Sequence, residues 1–238
     1  MLITFYGQLI FDSKLNPVGI EILARGDKGH GHLSPIVSPS DIFNLPEFQL
    51  QHYYALDMQV ISQIAMVANQ LKGFSPVRYV FVNLSDVLLK ELVSGSDDSL
   101  PFASIVSLGI KLAPIKLVVE VNERSSIRPE HLVLIVERLK DKGVFLAQDD
   151  FDESRLPYLS SPWDFVKLNI DQLTPSLINK HLSNGAPLII ERAQKKDVSP
   201  LSTHLYQGFE LHEPECLFSL IKGLVKDRNS QKKQFCHE

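Results

Sequence analysis

Cysteine is nearly missing from this chain. Cys216 and Cys236 are the only two in 238 residues, too few for a disulfide framework and without the spacing of a zinc site. There is no excess of positive charge either. Lys and Arg number 24 against 28 Asp and Glu, a net charge of −4, so a nucleic-acid polymer, which needs a basic face, is not an expected partner. No apolar run approaches the ~20 residues of a membrane span. The first residues, MLITFYGQLIF, lack a basic n-region and a small-residue cleavage site, and read as a first strand rather than a signal peptide. Together these absences point to the cytoplasm. What the chain does have is apolar content, 44% of residues, enough to build a sizeable α/β core.

Short apolar runs rich in β-branched residues alternate with helical patterns. The strand candidates are Leu2–Phe11, Val18–Ala24, Tyr79–Asn83, Lys116–Val121, Val144–Gln148, Phe165–Leu168, Leu188–Ile190 and Leu205–Gly208. A helix is predicted over roughly residues 48–72, where Leu56, Val60, Ile64, Val67 and Leu71 recur at steps of three and four. Another follows Pro129, with Leu132, Ile135, Val136 and Leu139 on one face and Gly143 closing it. SGSDDS (94–99) reads as an exposed loop. No domain break is evident, so residues 1–225 are expected to form a single domain, with 226–238 as a polar tail. Eight strands separated by helices favour a (β/α)₈ barrel over an open parallel sheet.

Polar residues interrupt or end those strands in a repeated way. Glu21 lies in VGIEILAR, Asn83 ends YVFVN and Glu120 ends KLVVE. Asp149 and Asp150 end VFLAQDD, Lys167 lies in FVKLN, Glu191 ends PLIIE and Gln207 lies in HLYQGF. Any one of these acids, taken singly, reads best as a solvated loop start or a helix cap. Lys167 alone could be a surface residue or a counter-ion, and Asn83 a turn residue or cap. If the strands are parallel, however, the whole set converges on one barrel mouth, where barrel enzymes place their chemistry. Oxygen ligands of this kind suit Mg²⁺, Mn²⁺ or Ca²⁺, and adjacent aspartates suit two neighbouring ions with one carboxylate bridging.

These residues resemble a known family. EILAR (21–25) is similar to the signature that names the EAL-domain phosphodiesterases of cyclic di-GMP. In order there follow NLS (83–85), EVNE (120–123), DDF (149–151), VKLN (166–169), IIE (189–191) and QGF (207–209), with Pro214 nearby. The resemblance runs over most of the chain and implies an EAL-type, TIM-like (β/α)₈ barrel that hydrolyses cyclic di-GMP to pGpG with Mg²⁺ or Mn²⁺. Carried over motif by motif, it implies that Glu21, Asn83, Glu120 and Asp149 hold one metal. Asp149 would bridge to a second, held with Asp150 and Glu191. Lys167 would position or polarise the attacking water, with Gln207 helping to orient it. Arg25 would contact a substrate phosphate, and Glu123 would steady the loop after the paired aspartates. Family members often dimerise near that loop, so a homodimer is also implied.

Several positions depart from the family. DDF continues as DESRLPYL where the family has a glycine-rich stretch, and glycine's freedom at φ > 0 is lost with it. The acid usually found two residues after the lysine is Asn169. The family's AEGVE is IERAQ, which puts Arg192 in place of a glycine and Gln194 in place of a second glutamate. Gly26 stands where a tryptophan is usual. Arg192 is a candidate partner for Asp152 or Glu153. The altered loop weakens support around the second metal, which threatens hydrolysis more than binding. The expectation is therefore a nucleotide- or protein-binding regulator with weak or no turnover, and the competing one is an active phosphodiesterase.

Overall fold

The computed structural model describes residues 2–27, 50–73, 76–121, 125, 127–149, 163–174, 186–199 and 202–225. Among these residues, nine strands form one sheet. β1 (Leu2–Phe11) and β2 (Pro17–Asp27) make an antiparallel hairpin. β3 (Tyr79–Asn83), β4 (Lys116–Val121), β5 (Val144–Gln148), β6 (Phe165–Asn169), β7 (Leu188–Glu191) and β8 (Leu205–Tyr206) then follow β2 in parallel. β1 closes the circle by pairing antiparallel to both β8 and β2, and a short β9 (Glu215–Cys216) adds to its edge. The eight expected strands are thus present and the barrel is closed. β1 alone runs against the rest, a direction that residue periodicity does not encode.

Among the described residues, α1 (Leu50–Lys72), α2 (Asp86–Ser94), α3 (Leu100–Leu112) and α4 (Pro129–Lys140) lie outside the strands. A further helix covers residues 217–225. The stripe Leu56, Val60, Ile64, Val67, Leu71 on α1 is buried, as the steps of three and four predict. α1 packs on α3 and α4 packs on α2, and together they cover the outward faces of the strands. Gly143 ends α4's turn at φ 75, the left-handed conformation that glycine adopts without cost. Ser94 closes α2 and Asp97 and Asp98 form an exposed turn, so SGSDDS is only in part a loop. No helix among the described residues is long and apolar enough to cross a membrane. The polar tail at 226–238 lies outside the described residues.

Inside the barrel, the period-two alternation of strand side chains builds two layers. The lower layer is an apolar plug made by Ile10, Phe81, Val118, Ala147, Phe165, Ile189 and Leu205, with Val18 at its edge. Phe81 and Phe165 meet edge to face at 5.4 Å, a favoured aromatic geometry. Gly19 belongs to this layer for a steric reason. A Cβ there would stand 3.1 Å from the Phe81 ring and 3.3 Å from Ile10, so the missing side chain makes room for both. The upper layer is polar, and it follows from the lower one by counting two residues towards the mouth. Gly19 leads to Glu21, Phe81 to Asn83, Val118 to Glu120 and Ala147 to Asp149. Phe165 leads to Lys167, Ile189 to Glu191 and Leu205 to Gln207. On the reversed β1 the same step runs backwards, from Ile10 to Gln8.

Candidate active site at the barrel mouth

Lys167 stands at the centre of the polar layer. Its side chain is 1% exposed, and its Nζ lies 2.9 Å from Glu120 Oε1, 2.9 Å from Asp149 Oδ1, 3.0 Å from Glu191 Oε1 and 3.3 Å from Glu21 Oε2. One ammonium therefore answers four carboxylates. Desolvation by itself would lower the lysine's pKa, but attraction from Asp149, Glu120, Glu191 and Glu21 outweighs it and holds the pKa well above the usual value. Lys167 is firmly charged. Glu120 is 0% exposed, and its burial, together with repulsion from Glu21 and Asp149, pushes its pKa well up against the pull of Lys167. Burial likewise raises Glu191 to about 7.

Asn83, at the end of β3, links the carboxylates on the other side. Its Nδ2 donates to Glu120 Oε2 at 2.8 Å and to Glu21 Oε1 at 3.2 Å. Gln207, just past β8, donates from Nε2 to Glu21 Oε2. The structure thus brings together Glu21, Asn83, Glu120, Asp149, Lys167, Glu191 and Gln207, seven residues singled out in the sequence. Arg25 lies four residues further along β2, where Nη1 donates to the Ala24 carbonyl at 3.0 Å. Its pKa is lowered by burial, against attraction from Glu21. Asp150 and Glu123 lie outside the described residues, as do Asp152 and Glu153, the candidate partners of Arg192.

The donor chemistry fits a hard divalent cation. Every candidate ligand offers oxygen, and turning the Asn83 amide end for end would present Oδ1 to an ion. Two buried oxygens, Glu120 Oε1 and Asp149 Oδ1, have no partner among the described residues beyond the Lys167 ammonium. Each meets the Lys167 ammonium at 2.9 Å, and a carboxylate oxygen in such a contact keeps a further lone pair that an ion could use. Among the described residues no group of three or more His, Cys, Asp or Glu side chains is arranged to hold a metal ion as it stands. The reason is visible in the geometry, since the carboxylates are drawn around the ammonium rather than around a common open point.

One residue of this layer was not among the sequence candidates. Gln8 is 8% exposed and accepts at Oε1 from Gln207 Nε2 at 3.1 Å. The signal was present, a polar residue breaking the apolar LITFYGQLIF, and it pairs in register with Glu21. On a strand of reversed direction, however, the polar residue precedes its apolar neighbour instead of ending the run.

The positions that depart from the EAL pattern have local roles of their own. Asn169 Oδ1 accepts from Asp171 N at 3.2 Å and caps the 3-10 turn Ile170–Gln172. Arg192 is exposed and sits at φ 54, a left-handed conformation that a glycine would hold without strain. At Gln194 the backbone N–H donates to Asp197 Oδ2 at 2.7 Å, fixing the turn Lys195–Asp197.

No family model and no curated protein matches the sequence. Solved structures do match in fold. The chain is similar to the PaMucR phosphodiesterase in its c-di-GMP complex, with a TM-score of 0.67 and 19% identity over 92% of this chain and 100% of that one. It is similar to the EAL enzyme Bd1971 in its cGMP-bound form, with a TM-score of 0.72 and 19% identity over 94% of this chain and 64% of that one. The EAL-like domain protein YdiV matches with a TM-score of 0.71 and 12% identity, over 94% of this chain and 96% of that one. The molecule is an α/β barrel of the (β/α)₈ type. Within that class its fold is that of the EAL-domain proteins.

Proposed function

We propose that this chain is an EAL-domain member of cyclic di-GMP signalling, with residues 1–225 as its single domain. In this reading it binds the nucleotide with Mg²⁺ or Mn²⁺ and acts as a regulator, in the cytoplasm, with weak or no hydrolysis. The observation that carries the EAL assignment is the polar layer itself. Four carboxylates from four different strands converge on the buried Nζ of Lys167 at 2.9–3.3 Å, at the mouth of a barrel that matches EAL structures. A purely structural ion pair needs one carboxylate, and three more in the same buried space are a standing electrostatic cost.

Glu21, Asn83, Glu120 and Asp149 would hold the first metal, and Asp150 and Glu191 a second alongside Asp149. A bound ion there supplies Lewis acidity to a phosphoryl oxygen and a nucleophile from water at neutral pH. Lys167 keeps a fixed positive charge among the ligands, where it can orient a water or an anionic oxygen. Gln207 steadies Glu21, and Arg25 on the same strand offers a guanidinium for a phosphate. Weak turnover is supported by the changes beside the second metal. Asn169 carries no charge and its amide oxygen is spent on a cap, and Arg192 replaces a glycine in strained backbone. A protein partner and self-association belong to this regulatory reading.

The second reading is an active phosphodiesterase, which the complete first-metal set together with Lys167 favours. The two separate cleanly. Purified protein is incubated with cyclic di-GMP and Mn²⁺, pGpG is followed by chromatography, and binding is measured by calorimetry. Binding with little or no pGpG is the expected result. Clear turnover that Glu21→Ala abolishes would sink the regulatory reading, and absence of binding would remove the nucleotide altogether. Restoring glycines at 152–154 is expected to raise turnover if the altered loop is the defect.

A further inference from the structure

We propose that Gln8 is a positioning residue of the mouth, setting the amide of Gln207 and, through it, the carboxylate of Glu21. His212 stands in the turn after β8. The backbone N–H groups of Leu211 and His212 both donate to the Gly208 carbonyl, at 3.1 and 3.0 Å, so the turn is closed on itself. It is also tied to β1. Leu9 N donates to His212 Nδ1 at 3.4 Å, which leaves the ring proton on Nε2, 3.2 Å from Glu215 Oε1. The His212 carbonyl is thereby held beside Gln8, and Gln8 Nε2 donates to it at 3.0 Å.

A carbonyl can only accept. Gln8 must therefore present its NH₂ end to His212, and its Oε1 is left facing Gln207. Gln207 answers with Nε2, which donates to Gln8 Oε1 at 3.1 Å and to Glu21 Oε2. Both amide protons of Gln207 are then committed. Turning that amide over would break both bonds and set its oxygen against a carboxylate. In this order the buried Gln207 Oε1 is left without a partner among the described residues. Gln8 on β1, Gln207 just past β8 and Glu21 on β2 thus act in series, from a backbone carbonyl to a candidate metal ligand.

This inference rests on the reading of Glu21 as a metal ligand, so its test uses metal binding rather than turnover. Mn²⁺ affinity is measured by calorimetry on the full chain, stripped of metal beforehand, for wild type, Gln8→Met, Gln207→Met and the double variant. Groups that orient a ligand typically change metal affinity by about tenfold or more, and each single variant is expected to weaken Mn²⁺ binding by about that factor. Because the two residues act in series, the double variant is expected to bind no more weakly than Gln207→Met alone. Losses that multiply, or a Gln8→Met protein with lowered melting temperature and unchanged Mn²⁺ affinity, would make Gln8 a structural residue only and overturn the proposal. Should Gln8→Met fail to fold, Gln8→Asn replaces it with the same expectation, its amide being one methylene too short to reach both partners. Wild-type protein that binds no Mn²⁺ overturns the metal reading and this inference with it. Wild-type binding that survives the Gln8 substitutions intact overturns this inference alone.

Discussion

Single side chains at the mouth are held in place mainly by charge, and Lys167 carries most of that burden. Glu120, Asp149, Glu191 and Glu21 are all within 3.3 Å of its Nζ. Removing one partner of a buried charge cluster leaves the others uncompensated and costs about 3–5 kcal/mol. Lys167→Met is expected to lose stability on that scale in urea denaturation near neutral pH. A variant as stable as wild type would show that the carboxylates do not depend on the ammonium. The residue types at the mouth were legible in the sequence because an acid, amide or lysine ends or breaks one apolar run after another. Their mutual contacts were not, since nothing in a strand's own sequence says which oxygen reaches which nitrogen across the barrel. Arg192 was visible as a substitution for glycine, whereas the left-handed backbone beneath it needed coordinates.

Between elements, the joint that matters most to the site ties α1 to the end of β3. Asp57 on α1 is 4% exposed, and its carboxyl accepts from Ser85 N at 3.2 and 3.3 Å and from the Ser85 hydroxyl at 2.5 Å. Ser85 follows Asn83 by two residues and caps α2, so this one contact fixes a strand end, a loop and a helix start. Burial pushes the Asp57 carboxyl from 3.8 up to about 7, against the lowering effect of the Ser85 hydrogen bonds. Between those two values the folded chain holds a proton that the unfolded chain has released. Stability contributed by protonated Asp57 is therefore present at low pH, lost as pH rises through that window, and level above it. Relative to Asp57→Asn, which cannot titrate, wild type is expected to lose stability from about pH 4 to about pH 7, by up to about 1.4 kcal/mol per pH unit. Denaturant melts of both proteins across that range check the sign, and a gain with rising pH would refute it. The long stripe of α1 announced that helix from sequence alone. α2 and α3 were expected only as unspecified connections, because their apolar residues give no comparably long periodic run.

For the molecule as a whole, closure of the sheet makes cooperative unfolding the natural expectation, since none of the eight barrel strands can leave without opening two seams. The chain has one tryptophan, Trp163, which is 8% exposed just before β6. Its fluorescence and the far-ultraviolet circular dichroism are expected to report a single coincident transition on denaturation. Two separated transitions would mean that part of the barrel melts independently. Eight alternating strands made the barrel legible in the sequence, while the antiparallel seam was hidden because alternation reads the same in both directions.

That reversed first strand has a practical consequence for anyone who handles the protein. Leu2 pairs with Asp27 and Gln8 with Glu21, so the start of β1 lies on the mouth side of the barrel. Six extended residues separate it from the level of the Glu21 carboxylate, about 20 Å at ~3.3 Å per residue. A purification tag, linker or fluorescent fusion attached ahead of Leu2 would leave the molecule on the same side as the site, within reach of whatever enters it. Labels for binding measurements are better carried on the opposite rim, where the exposed turn at Lys14 and Leu15 joins β1 to β2 below the apolar plug.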